Sequence, residues 1–340
     1  MTTMLDVAKR AGVSKATVSR VLAGHSYVSK TVRDRVMLAV DEMGYRPNLL
    51  ARNLATNRSH SIGLMVPNTL YHGPFFTELL FQAATLTEQL GSQLVLADGK
   101  HNAEQERQAI NFLVDSCCDA VIIYPRYLSV EDIDDLIPTI SKPLIVLNRR
   151  LKKFPQYSVC ADHENDTLNA VNHLISKGHR EIAFIKGMGS SHTGQSRLRG
   201  YISSLAGNGL EYDENLILEG CWTSESGRRA AEELLARDVT FSAIVASNDD
   251  MAIGAACALH AAGLRIPGDI SLLSFDDIPV APFFIPSLTT VHVPMAEMVS
   301  SALMQLSNML DGEEVAPLSL MPGQLIIRDS IADGPYARHG

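Results

Sequence analysis

From Ser61 onward, short apolar runs rich in β-branched residues alternate with stretches of helical length, and that rhythm admits few folds. The runs at 62–66, 93–97, 120–124, 144–147, 181–185, 243–246 and 270–273 predict strands. Between most of them, 75–90, 103–115, 163–177, 197–207, 225–237 and 249–262 predict helices. Strand and helix in alternation imply parallel sheets, because each crossover lays a helix on the sheet and buries both of its faces. So many strands predict two such sheets.

The first sixty residues have a different texture. Thr3, with Asp6 three positions on, matches a capping box, and Leu5, Val7, Ala8 and Ala11 supply an apolar face that stops at Gly12. Ser14 suits the cap of a second helix over 15–23, ended by Gly24. A third helix follows Ser29, where Val32, Val36, Val40 and Met43 recur at helical spacing before Gly44. Two short helices joined by a tight turn, with a third to pack on, predict a small all-α helix-turn-helix head. Val18, Val21 and Leu22 face its core, which leaves Lys15, Ala16, Thr17, Ser19 and Arg20 outward. Arg and Lys reach guanine edges or phosphates, Ala and Thr meet a thymine methyl, and Ser binds phosphate. A helical hairpin with no ligand shows the same pattern.

Charge supports the DNA reading once it is divided along the chain. Residues 1–60 hold ten Lys/Arg against four Asp/Glu, a local +6, so the remainder carries −15 of the total −9. A basic head on an acidic body suits a chain in which one segment meets phosphates and the rest avoids them. A solvated set of basic helices has the same charge. No apolar run approaches the roughly 18 residues of a membrane span, and the opening residues lack a secretory h-region, so no membrane partner and a cytoplasmic location are expected.

Other chemistries find little support. Cys117, Cys118, Cys160, Cys221 and Cys257 are scattered without CxxC spacing, so they predict neither a disulfide framework nor a zinc site and read as small buried hydrophobes. The stretch from Gly187 to His192 lacks the third glycine of a dinucleotide fingerprint and reads as a loop. His163 and Glu164 have no second histidine at zinc-protease spacing, and no GxSxG or GxxxxGK[ST] motif occurs. No catalytic site, metal or cofactor is expected, and the eleven histidines read as surface or hydrogen-bonded residues.

The run LDVAKRAGVSKATVSRVL from Leu5 to Leu22 resembles, position for position, the DNA-binding signature of the lactose/galactose repressor family. The resemblance implies that Lys15, Ala16 and Arg20 choose operator bases, with Thr3, Ser14, Thr17 and Ser19 beside them at the DNA. It continues through RPNLLARNLA at 46–55, where Pro47 disfavours helix before it and Asn48 can cap a short helix after it. About eight residues are too few to stay helical alone. In the family this segment is a hinge that folds when two copies enter the minor groove, which places Asn48 and Ala51 at the DNA and makes Leu54 the apolar wedge between base pairs. An ordinary flexible linker is the alternative.

The body shares the likeness through VLNRR at 146–150, GHREIAF at 178–184, RLRGY at 197–201, ASNDDMAIGA at 246–255, SFDD at 274–277 and PSLTTV at 286–291. It implies a two-lobed, periplasmic-binding-protein-like fold with parallel sheets, chain crossings near 160, 292 and 322, and a ligand in the cleft. By position, Arg197, Asn248 and Asp276 match residues that hydrogen-bond sugar hydroxyls, an arrangement of fork and carboxylate that suits a polyol. Trp222 matches a ring-stacking position, although plain core packing also uses such a residue. Asn148 is implied to face the cleft, and Tyr71 or Phe75 to line it. Met295 stands where the lactose repressor has an aromatic residue, so a galactoside is not assumed. The chain is thus read as a head at 1–45, a hinge or linker at 46–60, an effector-binding and dimerisation body at 61–330 and a tail at 331–340.

The expected function is a homodimeric, sequence-specific repressor that holds double-stranded operator DNA and is released by a small sugar or glycoside. The segments 68–73, 96–101 and 246–251 resemble members that regulate the use of aryl-β-glucosides and cellobiose. A cytoplasmic sugar-binding module or sugar-modifying enzyme with a basic head is the competing reading, with Asp249 or Asp277 as its acid/base candidates. The short end after Asp329 lacks tetramerising leucine heptads, so a dimer is expected.

Overall fold

The computed structural model describes residues 2–22, 27–45, 59–71, 73–115, 118–189 and 191–337. These fall into two compact units, one ending at His60 and the other beginning at Ser61. The positions Asn48, Ala51, Leu54 and Cys117 lie outside the described residues.

In the first unit, α1 (Met4–Ala11), α2 (Lys15–Leu22) and α3 (Lys30–Glu42) enclose Val7, Ala8, Ala11, Val18, Val21, Val36, Ala39 and Val40. The Thr3 and Asp6 side chains form the reciprocal capping box, a device that contributes about 1 kcal/mol to a helix start. Gly12 closes α1 at φ 62, a backbone setting that only glycine adopts without steric cost. Leu5, expected on the buried face, is instead 51% exposed, and Met4 packs on the core. The spacing explains it: 4, 7, 8 and 11 share one face of a 3.6-residue helix, and 5 falls off it. Leu22 is partly buried, and Arg10 of α1 pairs with Glu42 of α3 at 2.6 Å.

The second unit carries two sheets. The first has the order β2-β1-β3-β4-β5 and is fully parallel, from β1 (Ser61–Val66), β2 (Gln93–Asp98), β3 (Ala120–Ile123), β4 (Leu144–Leu147) and β5 (Ser158–Val159). Helix α4 (Pro74–Gln89) covers one face, together with α11 (Met295–Leu310); α5 (Ala103–Asp115) and α6 (Val130–Leu136) cover the other. Strand β3 shows why the runs are apolar throughout: Ala120 and Ile122 face the first pair of helices while Val121 and Ile123 face the second.

The second sheet joins β6 (Ile182–Lys186), β7 (Ile217–Glu219), β8 (Ala243–Ala246), β9 (Ser271–Asp276), β10 (Thr289–His292) and β11 (Gln324–Ile326) in the order β11-β10-β9-β8-β6-β7. Only the β10/β11 pair is antiparallel. It is sandwiched by α7 (His163–Ser176) and α8 (His192–Gly207) on one face, α9 (Ser224–Ala236) and α10 (Asp249–Ala261) on the other. The chain passes between lobes after β5, after β10 and before β11, so α11 closes the first lobe although it follows strands of the second. The crossings touch: Ala161 and Met321 form a parallel bridge, and Asp166 Oδ1 accepts from Gly323 N at 2.8 Å. In both sheets consecutive strands diverge at one point, between β1 and β3 and between β6 and β8, where open α/β sheets form their crevice.

Three expectations need correction here. Helix α8 starts at His192, the last residue of the stretch read as a loop, and not at 197, because the Ser191 side chain accepts from Gly194 N at 3.3 Å and caps it there. Cys118 and Cys160 are buried, but Cys221 and Cys257 are exposed; Cys257 lies on the outer face of α10, on which Ala256 and Ala258 turn inward. Met295 is 5% exposed within the first lobe's core, and Val293 is the residue of that segment that reaches the cleft.

Candidate functional site

Of the five residues expected to face outward on α2, four are exposed and Thr17 is half-buried. Lys15, Ala16, Ser19 and Arg20 are exposed, and no ion pair among the described residues engages Lys15 or Arg20. Ser14 and Thr17 are joined by their hydroxyls at 2.9 Å, while Ser14 Oγ also accepts from Thr17 N at 3.1 Å, so both are shared with the start of α2. Thr3 is exposed but its hydroxyl donates to Asp6 Oδ2 at 2.6 Å. That bond and the one from Thr3 N hold the Asp6 carboxyl below its ordinary range.

In the second unit, a cleft of about 180 Å³ opens between the two sheets at the carboxyl ends of their strands. The first lobe supplies Thr69, Phe75, Tyr124, Arg126 and Asn148. Phe75 meets Tyr124 edge-on at 5.5 Å, and Asn148 Nδ2 donates to the Tyr124 hydroxyl at 3.1 Å. Arg126 rides on a loop clamped from two sides. Buried Glu106 accepts from the backbone N–H groups of Arg126, Tyr127 and Leu128 at 2.7, 3.0 and 2.7 Å, and the Arg149 guanidinium donates to the carbonyls of Leu128 and Pro125 at 3.0 and 2.9 Å. Tyr71 does not line the cleft: it ends the short turn at 68–70 and stacks on Phe76 at 4.5 Å, within the first lobe's core.

The second lobe supplies His163, His192, Arg197, Trp222, Asn248 and Asp276. Arg197 crosses from α8 beneath the lining, 2% exposed, and donates to Ser247 O and, at 3.1 Å, to Asp276 Oδ1; its guanidinium lies 4.5 Å over the Phe275 ring. Burial pushes the Asp276 carboxyl upward and Arg197 pulls it back. Asn248 caps α10 by accepting from Met251 N at 3.0 Å, and donates to Trp222 O at 3.1 Å. Asn148, Trp222 and Asp276 all take positive φ, at 53, 67 and 103. Non-glycine residues in that region cost of order 1–3 kcal/mol and gather at binding sites.

The two candidate acids stand elsewhere. Asp249 is buried behind the lining, accepting from Thr290 Oγ1 at 2.7 Å, Ile278 N at 2.8 Å and Ser274 Oγ. Asp277 pairs with Arg328 at 2.7 Å. Several lining residues escaped the sequence: Tyr124 and Arg126 sit just beyond β3, at the strand ends where open α/β sheets form their crevice, a position that could have signalled them. His163 corrects the expectation that histidines are exposed or hydrogen-bonded, for it is buried and neither ring nitrogen has a partner among the described residues. Among those residues no cluster has metal-binding character, and no helix is long and apolar enough to cross a membrane.

A basic helix-turn-helix on the same chain as a two-lobed α/β unit with a cleft at its strand ends defines a ligand-responsive DNA-binding protein. The profile of bacterial regulatory proteins of the lacI family matches residues 3–48, and that of the periplasmic binding protein-like domain matches 171–331. The chain is 55% identical over 331 residues to the HTH-type transcriptional regulator AscG of Escherichia coli K12, covering 97% of this chain and 98% of that one. The crystal structure of the E. coli transcriptional repressor ascG superposes with a TM-score of 0.75 at 51% identity, over 80% of this chain and 99% of that one. A complex of the transcriptional regulator CelR with cellobiose is 30% identical, with a TM-score of 0.72 over 97% of this chain and 100% of that one. The lac repressor dimer bound to operator and an anti-inducer is 29% identical, with a TM-score of 0.88 over 97% and 99%. The chain belongs to the LacI family of bacterial regulatory proteins and is a DNA-binding transcription repressor regulated by a small-molecule effector.

Proposed function

We propose that the chain represses an operon for the use of a sugar or β-glucoside, and that a glycoside in the cleft releases it from its operator. The buried Arg197–Asp276 pair carries this reading: a carboxylate and a guanidinium edge at a cleft floor, flanked by Asn148, Asn248 and the aromatic faces of Trp222 and Phe75, suit a neutral polyol ring. The cellobiose held by CelR and the operator-bound dimer of the lac repressor support the ligand class and a homodimeric working form. Lys15, Ala16 and Arg20 read bases, with Thr3, Ser14, Thr17 and Ser19 beside them at the DNA; Asn48, Ala51 and Leu54 form the minor-groove hinge. Effector binding favours one angle between the lobes, a coupling of roughly 1–3 kcal/mol. The protein acts in the cytoplasm and catalyses no reaction; neither Asp249 nor Asp277 lines the cleft.

Selection of bound sequences from random duplex DNA, with and without a panel of sugars and β-glucosides, tests the proposal. A pseudo-palindrome whose enrichment one glucoside abolishes is the expected result. No enrichment at moderate salt removes the operator reading and favours a sugar-binding module.

A further inference from the structure

The polar side chains at the cleft floor are mostly committed to protein partners. Asn148 holds Tyr124, Asn248 holds the Trp222 carbonyl and the start of α10, and Arg197 holds Asp276 and Ser247. His163 differs. It opens α7, directly after the chain's first crossing between lobes, and is 7% exposed. Both Nδ1 and Nε2 are buried without a hydrogen-bond partner among the described residues, although the residue lines the cleft. Thr69 Oγ1 across the cleft, Arg149 Nε and Arg197 Nε are the other buried atoms of lining residues without a partner among the described residues, but each is one atom, whereas both polar atoms of His163 are unmet. Leaving a buried donor and acceptor unmet is costly, and native structures rarely do so without a partner to come.

We propose that His163 is a contact residue for the effector, its two ring nitrogens each closing one hydrogen bond with a hydroxyl-bearing ligand. The chemistry selects the class. Burial and the nearby Arg197 charge keep the imidazole unprotonated, and an unprotonated ring offers one donor and one acceptor. A hydroxyl group answers either; an ammonium group answers only the acceptor and a carboxylate only the donor. The position adds a consequence: a ligand bonded to His163 touches the helix that begins directly after a crossing between the lobes. The assignment rests on the reading of the cleft as a glycoside site and deepens it.

Calorimetric titration of the purified full-length protein with cellobiose, phenyl β-glucoside and their monodeoxy forms tests it. His163→Phe keeps a flat ring and removes both nitrogens; it is expected to bind about tenfold more weakly than wild type. His163→Gln, with one donor and one acceptor, recovers most of the loss. The penalty that wild type shows for the deoxy form missing the contacted hydroxyl disappears in His163→Phe, which a merely structural role does not produce. Undiminished affinity in His163→Phe, or a deoxy penalty that persists there, overturns the assignment and leaves the glucoside reading standing. No binding of any glucoside by wild type overturns both. If the phenylalanine variant does not give a cooperative melt, the ¹⁵N shifts of the His163 ring in wild type decide: movement on adding cellobiose supports the contact, and an unchanged shift overturns it.

Discussion

The indole ring of Trp222 fills the space that a side chain at Gly187 would need: a Cβ built at 187 would lie 2.1 Å from Trp222 Cζ2. Gly187 is therefore set by the cleft wall. Gly187→Ala is expected to displace the indole and weaken glycoside binding by about tenfold. Trp222 is the chain's one tryptophan, so its emission reports cleft occupancy directly. A glycoside that releases operator without altering that emission places the ligand away from Trp222.

Asp276→Asn keeps the shape of the cleft floor and leaves the Arg197 guanidinium, 2% exposed, without its countercharge. Removing one member of a buried ion pair costs about 3–5 kcal/mol. Urea unfolding should show a loss of that order, and release of operator by glycoside should fail. A normal release at normal glycoside concentration would take Asp276 out of ligand contact.

On the DNA side, Arg20→Ala is expected to cost about 1–3 kcal/mol of specific operator binding and to relax base preference at one position of each half-site. Leu54→Ala should reduce specific binding while the affinity for glycoside stays constant, as expected of a lost minor-groove wedge. Fluorescence anisotropy with specific and scrambled duplexes measures both. Equal losses on the two duplexes would reduce Arg20 to a phosphate contact, and loss of both DNA and glycoside binding by Leu54→Ala would signal misfolding.

Burial raises the Asp166 carboxyl from its ordinary value to about 6, with Asp162 adding to the rise and the Gly323 N–H opposing it. The folded state thus holds a proton that the unfolded chain releases near 3.8. The resulting stabilisation is fully present below about pH 4 and is lost as pH rises through about 6, a change of at most about 3 kcal/mol. Denaturant titrations between pH 4 and 7 should show this slope in wild type and a shallower one in Asp166→Asn. Parallel slopes in the two proteins would assign the proton elsewhere.

The helix-turn-helix and the alternation of strands and helices were legible because they are local: capping boxes, glycine stops and apolar periodicity act over a few residues. Asn148, Arg197, Trp222, Asn248 and Asp276 were found through resemblance, and Asn148, Asn248 and Asp276 also stand at strand ends, where an open α/β sheet forms its crevice. What the sequence by itself determined was the head, the fold class and half of the cleft. Only the tertiary structure decided that α11 returns to close the first lobe, that Tyr71 turns onto Phe76 and leaves Phe75 to the cleft, and that His163 is buried without a partner among the described residues. Each of these depends on which segments meet across more than a hundred residues or on which way one side chain turns at a lobe boundary. Periodicity along the chain carries no record of either, because such contacts are set by how the two lobes pack and not by the neighbours in sequence.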